Sequence, residues 1–225
     1  MRKLLNTLYV TTPDAYLSKD GQNVVVSVKQ QEVFRIPSIN IEEIVTFGYV
    51  GASPGLMKLC CDNGISLTFL SPSGRFIGRV VGPVRGNVLL RKAQYSLSEN
   101  DEQSVSVARL MIAGKIQNYK NILRRYLRDY GDNQDVENAV KILEFNKNLA
   151  IKEEDKGRLL GFEGIASNAY FNVFPNLILQ QKEHFTFSGR NRRPPKDAVN
   201  AMLSFAYSLI ANDCAAALET VGLDP

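Results

Sequence analysis

The chain has no tryptophan, one histidine and three cysteines in 225 residues. Each scarcity excludes something. An odd cysteine count, with Cys60 and Cys61 adjacent and Cys214 far away, gives neither a disulfide framework nor a CxxC zinc spacing. A reduced, cytoplasmic compartment fits that pattern. The single histidine, His184 in QKEHFTF, has no carboxylate or cysteine at a recognisable catalytic spacing, so a polar loop or edge position is the better reading. No Ser-His-Asp order, phosphate-binding P-loop or GxGxxG turn is present. The basic, then apolar opening MRKLLNTLYVTT is interrupted by asparagine and threonine, so it lacks the core of a signal peptide. Read by eye, no apolar run reaches the roughly 20 residues that a membrane-spanning helix needs, which leaves no membrane role.

What is present is ordinary globular composition, 44% hydrophobic and 22% charged, with a net charge of +4. So mild an excess permits nucleic-acid binding without requiring it, and clustering of the basic residues matters more than the total. The first 85 residues read as strands and turns. Asp20-Gly21 precedes the run Val24, Val25, Val26 and Val28, a hairpin signal. Further β runs are expected at 33–36, 44–47, 65–70 and 76–81. One short helix interrupts them, with Ser53 as N-cap, Pro54 at the first helical position and Gly64 as its stop.

Past the Gly- and Pro-punctuated segment 82–86 the period changes to that of helices, expected at 87–95, 104–130, 136–150, 156–181 and 195–221, with 96–103 a polar connection. The expected architecture is therefore α+β: a β-rich domain over 1–85 with one short helix, then an all-helical domain over 86–225.

Chemistry-bearing candidates are few. On the helix holding GFEGIASNAYF, Leu159, Phe162, Ala166, Ala169 and Val173 form the apolar stripe, and Glu163, Ser167 and Tyr170 flank it. A carboxylate at a core edge can be held rigidly enough to serve Mg²⁺ or Mn²⁺, which prefer hard oxygen donors. Spacing alone, however, favours a helix-surface glutamate reaching water. The basic sets are Arg75, Arg79 and Arg85; Lys120, Arg124, Arg125 and Arg128; and Arg190, Arg192, Arg193 and Lys196. The second set reads as a solvated helix face. The third, four basic residues within seven positions, suits a phosphate backbone. Asp197, in the first turn of the next helix, has the bland reading of a helix-dipole partner. Cys60 and Cys61, among Leu56, Met57 and Leu59, read as buried.

Taken together, LLNTLYVTTPDAYLSKDG, FGYVGASPGLM, ISLTFLSPSGRF, GNVLLRKAQY, GFEGIASNAYF and RNRRPPKDAVNAMLSFAYSL resemble the CRISPR adaptation integrase family, most closely its type I-C branch. The resemblance covers essentially the whole chain in matching order. It implies a β-domain followed by a helical catalytic domain, and a homodimer joined through the β-domains. It also implies pairing with the second CRISPR adaptation protein, and a metal-dependent DNA endonuclease and integrase that inserts spacers into the repeat array. By the same resemblance Glu163, in the EG-x-A motif, is a catalytic metal ligand for Mg²⁺ or Mn²⁺. Arg190, Arg192, Arg193, Lys196, Lys120, Arg124 and Arg128 are candidate DNA contacts, and Tyr170 and Tyr207 are candidate neighbours of the site. The family's histidine and aspartate ligands would lie past Pro225, and His184 does not match either. The expectation is then a C-terminally truncated chain that holds metal weakly and is inactive alone. The competing expectation is a non-catalytic DNA- or partner-binding dimerisation module.

Overall fold

The computed structural model describes residues 6–82, 88–191 and 194–225. They form two compact units: Met1–Arg91 together with Ser204–Pro225, and Lys92–Leu203. The class is α+β, with strands first and helices after.

In the first unit, β1 (Thr7–Val10), β5 (Glu43–Phe47), β7 (Ser66–Leu70) and β8 (Phe76–Val80) make one four-stranded sheet in the order β1-β5-β7-β8. β1, β5 and β7 run parallel, and β8 is antiparallel to β7. β4 (Gln31–Pro37), β3 (Asn23–Val28), β2 (Ala15–Asp20) and β6 (Gly51–Ala52) make the other sheet in that order. β5 is buried at four successive positions, as a parallel strand covered on both faces must be, and one of those positions is Glu43. β2 and β3 meet across the expected Asp20-Gly21 turn, with Gly21 at φ 58°. β3 and β4 meet across Lys29-Gln30, both at positive φ, a two-residue hairpin made without glycine or asparagine.

Helix α1 (Pro54–Asn63) is the short helix expected from the sequence. The Ser53 hydroxyl accepts from the Leu56 amide, and Gly64 closes the helix in the left-handed region at φ 68°. Leu56, Leu59 and Cys60 of α1 join Val10, Leu17, Val24, Val26, Ile44 and Leu67 in the core of this unit. Burial pushes the Cys60 thiol up to about 12, with Cys61 adding to it, so this cysteine is a packing residue.

Helix α2 (Val88–Glu99) and helix α3 (Asp101–Tyr130) run through the segment expected to be a polar connection. The break is Asn100 alone, whose side chain accepts from the Gln103 amide, with Asp101 and Glu102 in the first turn. Helix α4 (Gln134–Ala150) is capped by Asn133 and helix α5 (Lys156–Val173) by Asp155. α5 stops eight residues short of the expected end at 181, because Pro175 enters a 3₁₀ turn over Phe174–Leu177. The second unit packs Ile116 and Leu123 of α3, Val136, Ala139 and Leu143 of α4, and Leu159, Ala166, Tyr170 and Val173 of α5 into one core.

Helix α6 (Ala198–Thr220) begins in the second unit and ends in the first. Contrary to the expectation of no long apolar run, it is long and apolar enough by length and composition to cross a membrane, with mean hydropathy 1.3 over its best window. Serine, asparagine and tyrosine interrupt the apolar run, but its only charged residues are Asp213 and Glu219. Both are engaged by the β-rich unit. Arg79 of β8 donates to Glu219 at 2.8 Å and to the Asn212 carbonyl at 2.9 Å, while Asp213 faces Glu43. Phe205 lies over Gly74, where a Cβ would sit 2.5 Å from the ring and where φ is +79°. Glycine is therefore required at position 74 on both counts.

Candidate active site

Glu163 sits in the middle of α5, beside the stripe that buries Leu159 and Ala166. Its side chain is 27% exposed, so neither deep burial nor full solvation describes it. Its Oε1 accepts from Nζ of Lys115 on α3 at 2.5 Å. That ammonium also lies 5.7 Å from the ring centroid of Tyr119, a cation–π distance. Tyr119 in turn stacks on Tyr170 with centroids 4.2 Å apart and planes 8° from parallel. Tyr170, a candidate site neighbour by sequence, is 6% exposed and meets Phe171 and Phe174 edge-on, so the structure places it in the core of the second unit. Its stack reaches Glu163 through Tyr119 and Lys115.

A second charged group stands nearby on α3 and α4. Lys120, only 5% exposed, is ion-paired with Glu144, which also accepts from Lys147 at 3.0 Å. The hydrogen bonds from Lys120 and Lys147 bring the Glu144 carboxyl down to about 2. The expected face of Lys120, Arg124 and Arg128 is thus not one solvated stripe. Four-residue steps advance about 40° past a full turn each, which leaves Lys120 on the edge that carries Ile116 and Leu123 while Arg124 and Arg128 turn out to solvent.

The basic loop before α6 is built around Asn200, which is fully buried. Its Oδ1 accepts from Arg190 Nη1 at 2.9 Å and from the Asn191 amide at 3.0 Å. Its Nδ2 donates to the Gly189 carbonyl at 2.9 Å and to Asp197 Oδ2 at 2.7 Å. Asp197 also accepts from the Asn200 amide, as an N-cap does. Burial works against its charge, but these donors win and hold its carboxyl below the ordinary value. Arg190 is therefore drawn inward by the loop's own scaffold, and Lys196 is exposed. Arg192 and Arg193, like Arg85, fall outside the described residues.

Arg79 is likewise an interior group, with a side chain 8% exposed, and Arg75 is exposed. Tyr207 is half-exposed on the part of α6 that belongs to the first unit. His184 is exposed, and its nearest carboxylate is Glu183 at 3.8 Å. A separate, mostly apolar groove of about 720 Å³ in the first unit is lined by Tyr9, Asp14, Phe47, Tyr49, Phe205 and Leu209.

Sequence reasoning missed Lys115, Asn200 and the Glu43–Arg79–Asp213 group. Asp197 followed by Asn200 carries a capping spacing that was available to find. The other two need the tertiary fold.

A family model described as CRISPR associated protein Cas1 matches residues 8–225. The chain belongs to the Cas1 family. It is 44% identical over 228 residues to the CRISPR-associated endonuclease Cas1 1 of Chlorobaculum tepidum, covering 100% of this chain and 66% of that protein. It spans about two thirds of the length of the curated relatives it matches. Its fold is shared with a Cas1 protein from Thermotoga maritima, at TM-score 0.77 and 21% identity over 98% of this chain and 67% of that one. It is shared also with a casposase bound to an integration product, at TM-score 0.76 and 22% identity over 98% of this chain and 63% of that one.

For a divalent cation, Glu163 fits as one hard-oxygen ligand. Among the described residues no group of three or more His, Cys, Asp or Glu stands together to make a complete site.

Proposed function

We propose that this chain carries the catalytic glutamate of a metal-dependent DNA endonuclease and integrase that works in CRISPR spacer acquisition, of the type I-C branch. The observation that carries the reading is Glu163: within the Cas1 family match, the EG-x-A glutamate is the one carboxylate of α5 held half-buried at a core edge. A bound Mg²⁺ or Mn²⁺ would supply charge neutralisation at the phosphodiester under attack by a DNA 3′-hydroxyl. The chain's own part is to hold the carboxylate in one place and to bind the DNA backbone.

For that backbone the exposed cations are Arg124, Arg128 and Lys196, with Arg192 and Arg193 of the same loop proposed to join them. Partners on this reading are DNA, a second copy of the chain and the second CRISPR adaptation protein, in the cytoplasm where the repeat array lies. The β-rich unit over 1–85 would dimerise. The edge strand β4 exposes Val33 and Phe34, and the turn after it exposes Ile39, which supports an apolar pairing surface there. Residues 86–225 would be the catalytic part.

One carboxylate is a poor anchor for Mg²⁺, which takes one or two carboxylates with waters and phosphate oxygens. Residues 1–225 by themselves therefore bind cation weakly and cut no DNA, and the non-catalytic reading, a DNA- or partner-binding dimerisation module, describes what they do alone. The test is duplex DNA titrated with residues 1–225 at several salt concentrations, with and without Mn²⁺. Affinity falling linearly on a log–log plot against salt, with no cleavage, is expected. Absence of binding at low salt would remove DNA from the proposal. Metal-dependent cleavage that Glu163→Ala abolishes would overturn the inactivity of these residues alone.

A further inference from the structure

We propose that Lys115 is the resident counter-cation of Glu163, and that a divalent cation binds by displacing its ammonium from the carboxylate. The inference rests on the reading of Glu163 as a metal ligand and adds what occupies that ligand beforehand.

Three observations carry it. The Nζ–Oε1 separation is 2.5 Å, between residues 48 apart on α3 and α5, so the contact is made by tertiary packing rather than by helix spacing. Lys115 and Glu163 side chains are 37% and 27% exposed, enough for an ion from solvent to reach them. The ammonium is also placed by the Tyr119 ring, and that ring is fixed by its stack on buried Tyr170. The anchorage thus runs from the core of the unit out to the carboxylate. Glu144 on α4 is paired with Lys120 and Lys147.

A carboxylate oxygen that accepts from an ammonium at this distance has no room for a metal ion on the same side. Two cations held within a few ångströms of each other also repel. The free energy of cation binding is therefore reduced by that of the Lys115 pair. For a partly exposed pair that difference corresponds to roughly two- to five-fold in affinity. Lys115 is a positioning residue on this account. It keeps Glu163 in one rotamer and sets how much cation is needed.

The experiment measures Mn²⁺ binding to residues 1–225 by electron paramagnetic resonance of the free ion, together with thermal unfolding in chelator. Lys115→Met is expected to bind Mn²⁺ roughly two- to five-fold more tightly than the parent chain, Lys115→Arg about as the parent does, and Glu163→Gln to lose the site. In chelator, the losses of melting temperature from Lys115→Met and Glu163→Gln are expected to be less than additive in the double variant. Binding unchanged or weakened by Lys115→Met, while Glu163→Gln abolishes it, would overturn the counter-cation role and leave the ligand reading standing. Binding unaffected by Glu163→Gln would overturn the ligand reading itself. Strictly additive melting losses would show that the two side chains are not coupled, and would overturn the proposal without reference to metal.

Discussion

Glu43 makes the β-rich unit's stability depend on pH, in a direction opposite to that of most carboxylates. Its side chain lies in the sheet centre on β5 and is 8% exposed. The Thr7 hydroxyl donates to Oε2 at 3.5 Å, and Oε1 is buried without a donor. What it faces is Asp213 of α6, a second carboxyl whose negative charge opposes its own. Arg79 is close enough to help, but its guanidinium is already shared among Glu219, Asn212 and Thr68. Burial first, and Asp213 next, push the Glu43 carboxyl up to about 7.

The folded chain therefore keeps a proton that the unfolded chain releases near the ordinary glutamate value. Stability is at its full value below about pH 4.5, declines as pH rises toward about 7, and stays low above that. A displacement of this size is worth about 3 kcal/mol. Glu43→Gln keeps the shape of the side chain and has nothing to titrate. Denaturant unfolding across about pH 4.5 to 8 should show the parent chain losing about 3 kcal/mol over that range and Glu43→Gln losing little of it. At about pH 8 the variant should be the more stable, by several degrees in Tm. Parallel pH profiles for parent and variant would refute the assignment of the proton to Glu43.

Two other substitutions test the remaining polar interior. Glu144→Gln leaves the buried ammonium of Lys120 without its carboxylate and should cost about 3 kcal/mol, whereas Lys120→Met should be close to neutral, both read from urea midpoints at constant slope. Asn200→Ala removes four hydrogen bonds from the loop before α6 and should cost about 2 to 4 kcal/mol. It should also raise the protease susceptibility of residues 189–197, while Asn200→Asp, which reverses two donors, should be no better.

How much of this was legible follows the range of the interaction. Ser53, Pro54 and Gly64 announce α1 because caps and stops are read within a few residues, and Asp20-Gly21 announces its hairpin for the same reason. That α2 runs on to Glu99 and α3 starts at Asp101 was hidden because 96–103, SLSENDEQ, holds one apolar residue and so shows no apolar period. The hairpin at Lys29-Gln30 was hidden because neither residue favours positive φ, so only the strand pairing enforces it. Lys120 was misplaced by treating four-residue spacing as a straight line along a helix. Glu163 was visible as a carboxylate at a core edge, and family resemblance gave it a role. Lys115 was not visible, since its partner lies on another helix.

Arg79 has a consequence for the order of events during synthesis. Its carboxylate and carbonyl partners, Glu219 and Asn212, follow it by 140 and 133 residues. The strands flanking Arg79 leave the ribosome long before those groups do. Until α6 is made, the face of β8 that carries Arg79 is open to water and lacks the packing and the acceptors that α6 brings, so β8 has reason to stay loosely held. Helices α3, α4 and α5, each started by its own cap and joined by short connections, have no such wait. On a growing chain the middle of the sequence should therefore become protease-resistant before the beginning does, the reverse of the usual direction of folding from the N-terminus.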